Sequence, residues 1–276
     1  MHSKTSEIAL RRRDWIMGVT ERQRGLSQMA GGLPRMRGLS SSDFLNHFYA
    51  PGRPVVIEDE LENWPARKWT RASLARKIGD APVEIQAGRT ADPEFERRKD
   101  DHKKVTSFRQ FMKAIGKADA GNDAYMTAYN SAANVSALAP LQGDLGRLPK
   151  FLTDAPGMMW IGPAGTFTPL HFDLTNNLLA QITGRKTVLI LPPSESGKLA
   201  HNHHVFSDVG DLTDQARVAA FPGARNARYF TVDLEPGDLL YIPIGWWHQI
   251  RSLSFSVTLT YTNFLWPNEG HESYPG

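Results

Sequence analysis

Residues 165–193 read GTFTPLHFDLTNNLLAQITGRKTVLILPP. Three runs of β-branched and large apolar residues are separated by the turn-forming pairs Thr-Asn and Gly-Arg, which predicts strands over 165–172, 178–183 and 186–191. Side chains two apart on a strand share a face, so His171 and Asp173 project together, with Phe172 opposite. An H-x-D triplet by itself is weak evidence for a metal site. It gains weight from a second stretch, PGDLLYIPIGWWHQI over 236–250, which predicts strands over 238–242 and 247–251 around the tight turn at Ile244-Gly245. His248 lies on the later strand. As a histidine next to Trp246 and Trp247 it also reads as an interior packing residue. Together the three residues offer two imidazoles and one carboxylate, the facial set that binds non-haem Fe(II) and leaves positions open.

Further residues of the same stretches are chemically odd for a plain core. Lys186 shares a predicted face with Val188 and Ile190, and a buried ammonium needs a carboxylate that no nearby residue supplies. Its missing partner is then a ligand. Asn177 follows His171 by six residues, and Thr168 precedes it by three with a hydroxyl to donate. On the strand predicted over 254–264, Phe255, Val257, Leu259 and Tyr261 alternate with Ser256, Thr258, Thr260 and Thr262. Asn263 ends the apolar face, bonded either to backbone or to a ligand. One cation, a hydroxyl and amides beside an open metal site suit a small dicarboxylate.

The two stretches, with the upstream GRPVVIEDELENWPARKWT at 52–70, resemble the Jumonji-C (cupin-like) branch of Fe(II)/2-oxoglutarate oxygenases. In texture they are nearest to its protein hydroxylases of the factor-inhibiting-HIF type. The resemblance covers roughly residues 40–266. It implies a mainly β fold, a double-stranded β-helix (jelly-roll) with flanking N-terminal helices. It further implies Fe(II) held by His171, Asp173 and His248, with 2-oxoglutarate and O2 as co-substrates. By position, Lys186 and Thr168 then bind the distal carboxylate of 2-oxoglutarate. Tyr125, in YMTAYN, joins them, with Tyr129 as the substitute. Asn177 and Asn263 fall near the metal-chelating end. The implied reaction is hydroxylation of an amino-acid side chain in a protein or peptide. N-methyl-lysine demethylation by the same chemistry and a non-catalytic cupin-like metal-binding sensor are the alternatives.

Two features depart from the pattern. Phe264-Leu265-Trp266 places its Trp one residue later than the hydroxylase does, and the dimerising C-terminal helices of relatives have no counterpart after 266. The expected state is therefore a monomer, or a dimer through the N-terminal helices.

Composition is compatible with this reading. The chain has 276 residues, 41% hydrophobic and 22% charged, with a net charge of +3. Its lack of cysteine excludes disulfides and thiolate metal sites. No apolar run approaches a membrane span, and the N-terminus has no secretory h-region, so a cytoplasmic location is expected. Residues 1–38 hold eight Lys/Arg against Glu7, Asp14 and Glu21. This basic extension reads as a solvated, partly helical arm, with weak support for nucleic-acid binding. Residues 39–276 read as one oxygenase domain with a barrel core over about 120–266.

Short helices are expected after the serines at 40–42 and over 71–78, the latter capped by Thr70 and stopped by Gly79. A further helix carries Phe108, Phe111, Met112 and Ile115. Strands are expected at Pro54–Ile57, through Val83 and Ile85, at 124–130, 158–161 and 228–233. Residues 91–104 read as a charged surface loop and 194–227 as a surface insertion, whose His201, His203 and His204 are surface or packing residues.

Overall fold

The computed structural model describes residues 2–24, 33–117 and 120–275. Its elements run α1 (His2–Arg24), β1 (Arg35–Met36), α2 (Ser41–Phe44), β2 (Val55–Ile57), α3 (Arg71–Ile78), β3 (Pro82–Gln86), β4 (Lys103–Ser107), α4 (Phe108–Lys117) and α5 (Ser131–Leu138). The barrel strands follow as β5 (Met158–Gly162), β6 (Phe167–Phe172), β7 (Asn177–Thr183) and β8 (Lys186–Leu191), then α6 (Gln215–Ala220), β9 (Phe230–Leu234), β10 (Leu239–Ile242), β11 (Trp247–Ser252) and β12 (Ser256–Tyr261).

Two sheets face each other. The larger has the order β1-β2-β10-β7-β12-β5 and the smaller β6-β11-β8-β9. Pairing is antiparallel throughout except for β1 with β2. This is the expected jelly-roll. The basic arm ends inside it, because Arg35–Met36 already form an edge of the larger sheet. Arg35 is held there by Glu58 and Asp238 at 3.0 and 3.1 Å.

Strand alternation divides each sheet into two environments. Outward residues of the larger sheet, among them Leu178, Ala180, Tyr241, Leu259 and Tyr261, form one core with Phe44, Phe48, Phe108 and Phe111 of the helical layer. Inward residues Leu179, Val188, Ile190, Leu240 and Ile242 meet between the sheets. The Phe264-Leu265-Trp266 segment closes the first core. Phe264 and Trp266 pack with Phe44 and Tyr49 at ring separations of 5.0–6.3 Å. The tight turn between β7 and β8 depends on Gly184, whose φ is +72° and whose missing Cβ leaves room for the Phe255 carbonyl.

Local signals place the helices. Ser40 and Thr70 cap α2 and α3 with their hydroxyls, and Gly79 ends α3 in a positive-φ conformation. Three expectations change. The strand expected at 124–130 consists of single bridges at Tyr125 and Met126, because the Thr127 side chain caps a 3₁₀ turn and halts extension. The loop 91–104 is ordered by 3₁₀ turns and ends as β4, paired with β3. The insertion 194–227 is no loose excursion. Its Leu199, Val209 and Leu212 are buried with Leu170 and Trp247 against the outer face of the smaller sheet.

Candidate active site

His171 and His248 sit directly opposite each other on β6 and β11. Each ring is fixed by the carbonyl two residues earlier in the chain. Nδ1 of His171 donates to Pro169 O at 2.7 Å and Nδ1 of His248 to Trp246 O at 3.0 Å. A carbonyl only accepts, so both imidazoles are Nδ1-protonated and both Nε2 lone pairs are free. Those nitrogens approach Asp173 at 3.7 Å from Oδ1 and 3.8 Å from Oδ2. Asp173 is clamped in turn. Its Oδ2 accepts from Asn177 Nδ2 at 3.0 Å, and its backbone carbonyl accepts from Gly245 N, in the turn that delivers His248. Among the described residues this is the one cluster of three such groups placed to share a metal ion. The neighbours Trp246 and Trp247 are packing residues, Trp246 in the core between the sheets and Trp247 on the outer face of the smaller sheet, with indole nitrogens bonded to Gly52 O and Ser196 Oγ.

The charges suit a divalent ion. Burial, then the neighbouring His248, pushes His171 down to about 4, so it is a neutral ligand at pH 7. Burial works to raise Asp173, but His248, His171 and the Asn177 amide outweigh it and keep the group below the usual carboxylate value. Asn177 Oδ1 is buried without a hydrogen-bond partner. A set of two imidazole nitrogens and one carboxylate, with one orphaned amide oxygen beside it, fits Fe(II) with open positions.

A cavity of about 250 Å³ runs from this set into the barrel. Lys186 lines it, 2% exposed, and among the described residues its one hydrogen-bond partner is Tyr125 Oη at 3.2 Å. Burial pushes the Lys186 ammonium down to about 7 and raises the Tyr125 phenol well above its ordinary value. Tyr129 also lines the cavity. The expected pairing of Lys186, Thr168 and Tyr125 in one chamber is therefore found, with Asn177 on its wall beside the metal ligands.

Thr168 reaches that wall by an irregularity. Across β6 and β11, His248 pairs with His171 but Ile250 pairs with Thr168, so β6 holds one extra residue there. This bulge at Pro169 and Leu170 breaks the two-residue period and puts Thr168 on the same face as His171. Pro169 fits because it has no amide to donate.

Asn263 is a correction. On β12 and its extension the threonines 258, 260 and 262 face the cavity, while Leu259 and Tyr261 face the helical layer. Asn263 is in phase with the second row, and its amide donates to Thr153 O at 2.6 Å. The apolar row seeks the helical core, and the hydroxyl row is left for the polar chamber. Asn263→Ala is expected to leave 2-oxoglutarate affinity unchanged and to cost about 1 kcal/mol in a denaturant melt. Asn177→Ala is expected to weaken metal binding by about 10–100-fold in a competition titration.

Sequence reasoning missed other cavity residues. Trp160, whose Nε1 donates to Thr260 at 3.1 Å, and Phe206, stacked on His171 at 5.8 Å, had no distinguishing signal. Glu96 lay among the many charges of 91–104, where nothing shows which one turns inward. The threonine row was visible as an alternation but was assigned no role. The histidines at 201–204 are exposed as expected. His203 does find a carboxylate, Asp208, at 2.8 Å.

Lys186 gives the site a pH signature. A dicarboxylate pairs with the charged ammonium, so binding above pH 7 takes up a proton and weakens by up to about tenfold per pH unit. Without ligand, the protein gains stability from about pH 7 towards 10.5, where the unfolded chain keeps the lysine proton and the native one has lost it. Calorimetry of 2-oxoglutarate binding in buffers of different ionisation enthalpy is expected to show this uptake at pH 8 and its absence at pH 6.

Two imidazoles and a carboxylate at the mouth of a jelly-roll, above a buried lysine, define the class of cupin-fold 2-oxoglutarate oxygenases. The chain belongs to the cupin-like domain family, which matches residues 41–269, and within it to the Jumonji-C oxygenases, which use Fe(II), 2-oxoglutarate and O2. It is 30% identical over 253 residues to lysine-specific demethylase JMJ30 of Arabidopsis thaliana, covering 86% of this chain and 55% of that protein. It is 30% identical over 248 residues to Jumonji C domain-containing protein 5 of Drosophila melanogaster, covering 82% and 59%. Human tRNA wybutosine-synthesizing protein 5 is 26% identical over 266 residues, covering 88% and 80%. The chain thus spans little more than half the length of the first two relatives. No helix among the described residues is long and apolar enough to cross a membrane.

Proposed function

We propose that the chain hydroxylates an amino-acid side chain in a protein or peptide. The observation that carries this reading is the aim of both Nε2 atoms and Asp173 at one point above a buried, carboxylate-free Lys186. Iron(II) held there, with O2 and 2-oxoglutarate, supplies a two-electron oxidation of a C–H bond, with release of succinate and CO2. The chain's own work is positional. Lys186, Tyr125 and Thr168 hold the distal carboxylate of 2-oxoglutarate, and that charge-assisted pair is poorly screened inside the barrel. Asn177 orients the Asp173 carboxylate. Trp160, Leu179, Ile250 and Phe206 exclude water from the reacting end. The substrate C–H must then enter past Phe206 and be held close to the metal.

N-methyl-lysine demethylation is the second reading, supported by the names of relatives such as JMJ30. It begins with the same hydroxylation, at an N-methyl carbon. Incubation of the full chain with Fe(II), 2-oxoglutarate and source-cell proteins, followed by peptide mass spectrometry, separates the two. Gain of one oxygen atom supports hydroxylation and loss of one methylene supports demethylation. No succinate above a metal-free control refutes both.

A further inference from the structure

The three metal-ligating side chains are not held alike. His171 and His248 stand opposite each other in the ladder of β6 and β11, so strand pairing sets their separation. Asp173 has no such support. It follows the last residue of β6, and residues 173–176 form no ladder pair before β7 begins at Asn177. A functional group on an irregular connection keeps its place only where other bonds pin that connection.

Asn176, 9% exposed, supplies those bonds. Its side-chain Oδ1 accepts from Tyr241 Oη and from Ile244 N, both at 2.9 Å, which uses both lone pairs. Ile244 belongs to the turn that delivers His248. The next amide of that turn, Gly245 N, donates to Asp173 O at 3.1 Å. Two successive amides thus tie the His248 turn to the two ends of the Asp173 connection. Tyr241 anchors the same oxygen to the helical layer, where its ring stacks 5.7 Å from Tyr49 and meets Phe44 edge-on at 5.0 Å. The backbone of Asn176 is held as well. Its N–H donates to Asn268 Oδ1 at 2.7 Å, and Asn268 Nδ2 donates to Asn176 O at 3.0 Å and to Thr262 O at 2.8 Å. One side-chain amide therefore copies the two-bond exchange of an antiparallel pair where no strand neighbour is present. It comes from the segment that follows β12.

We infer that Asn176 and Asn268 are positioning residues for the metal centre, which together hold the Asp173 connection against the His248 turn and make the segment after β12 part of the site. The inference rests on the reading of His171, Asp173 and His248 as metal ligands. Neither asparagine lines the cavity, so both act through Asp173 and not on the ion or the co-substrate. Their work differs from that of Asn177, which aligns the carboxylate itself. Metal–ligand distances hold to within about 0.2 Å. A connection released from its pins therefore costs metal affinity even while the barrel strands stay paired.

The test sets metal binding against folding in the full chain. Mn(II) affinity is measured by competition titration without 2-oxoglutarate, and a denaturant melt follows stability. Asn176→Ala and Asn268→Ala are each expected to weaken Mn(II) binding by about tenfold or more, as loss of a metal ligand's support does. The double variant is expected to bind about as weakly as the weaker single one, because both residues hold one connection. With Co(II) at saturation, the visible band of the bound ion is expected to shift in both variants. Asn263→Ala is the matched control. It lies on the same segment and loses its bond to Thr153 O, so stability is expected to fall with Mn(II) affinity and the Co(II) band unchanged. Asn176→Ala strands a buried hydroxyl and an amide. If it fails to fold, the half-buried Asn268 carries the test. Folded variants that bind Mn(II) as tightly as the parent, or an equal loss in Asn263→Ala, would overturn the inference and leave the metal centre standing. A parent chain that binds neither ion would overturn the inference and the oxygenase reading together.

Discussion

Replacing His171 or Asp173 with alanine is expected to abolish 2-oxoglutarate turnover and leave the fold intact. Loss of a group that merely orients a metal ligand already costs about 10–100-fold, so loss of a ligand itself is expected to exceed about 10²-fold. The fold should tolerate either change because neither side chain is part of an apolar core. His171 bonds only the carbonyl two residues before it, and Asp173 lies beyond the end of β6 with 27% of its side chain exposed. His171→Ala gives up one apolar ring contact, with Phe206 at 5.8 Å, outside the large apolar cores. Succinate release measures the first effect, and a denaturant melt with unchanged midpoint and slope checks the second. Full activity in either variant would remove the metal centre from this position.

Lys186→Ala is expected to raise the 2-oxoglutarate requirement by about 10²–10³-fold, because truncating one member of a buried ion pair costs about 3–5 kcal/mol. The effect belongs to co-substrate binding, so metal affinity in the absence of 2-oxoglutarate should not follow it. Lys186→Met separates the pair from the packing. Without ligand, the native protein holds Lys186 against the full cost of burial, with a phenol as its partner. An apolar side chain of similar length is therefore expected to stabilise the unliganded protein while still abolishing tight 2-oxoglutarate binding. A stability gain coupled to a loss of ligand affinity is the pattern expected of a residue kept for its ligand. An unchanged 2-oxoglutarate requirement would place the dicarboxylate elsewhere.

Much of this architecture was legible in residues alone. The eight strands expected from 158 onward match β5 to β12 with shifts of a few residues at their ends. That agreement has a local cause, because β-branched runs, two-residue alternation and Gly or Pro turns all act within a few residues. The H-x-D triplet, His248 and Lys186 were equally legible, since each breaks an apolar pattern that a plain core would have kept. The strand expected at 124–130 failed for the opposite reason. Its composition suits extension, but the Thr127 cap competes for the same backbone.

The sequence by itself singled out His171, Asp173 and His248 as a candidate metal-ligand triad and Lys186 as the lysine beneath it. It did not determine which face is inside. On β12 the apolar row looked like the interior, and the tertiary structure turned it towards the helices, taking Asn263 with it and leaving threonines for the chamber. The bulge that brings Thr168 into line with His171 was likewise a decision of the fold, as was the inward turn of Glu96. The physical reason is common to all three. Alternation is a property of one strand. A bulge is defined only by its partner strand, and inside and outside are set only when two sheets and a helical layer compete for the same apolar surface.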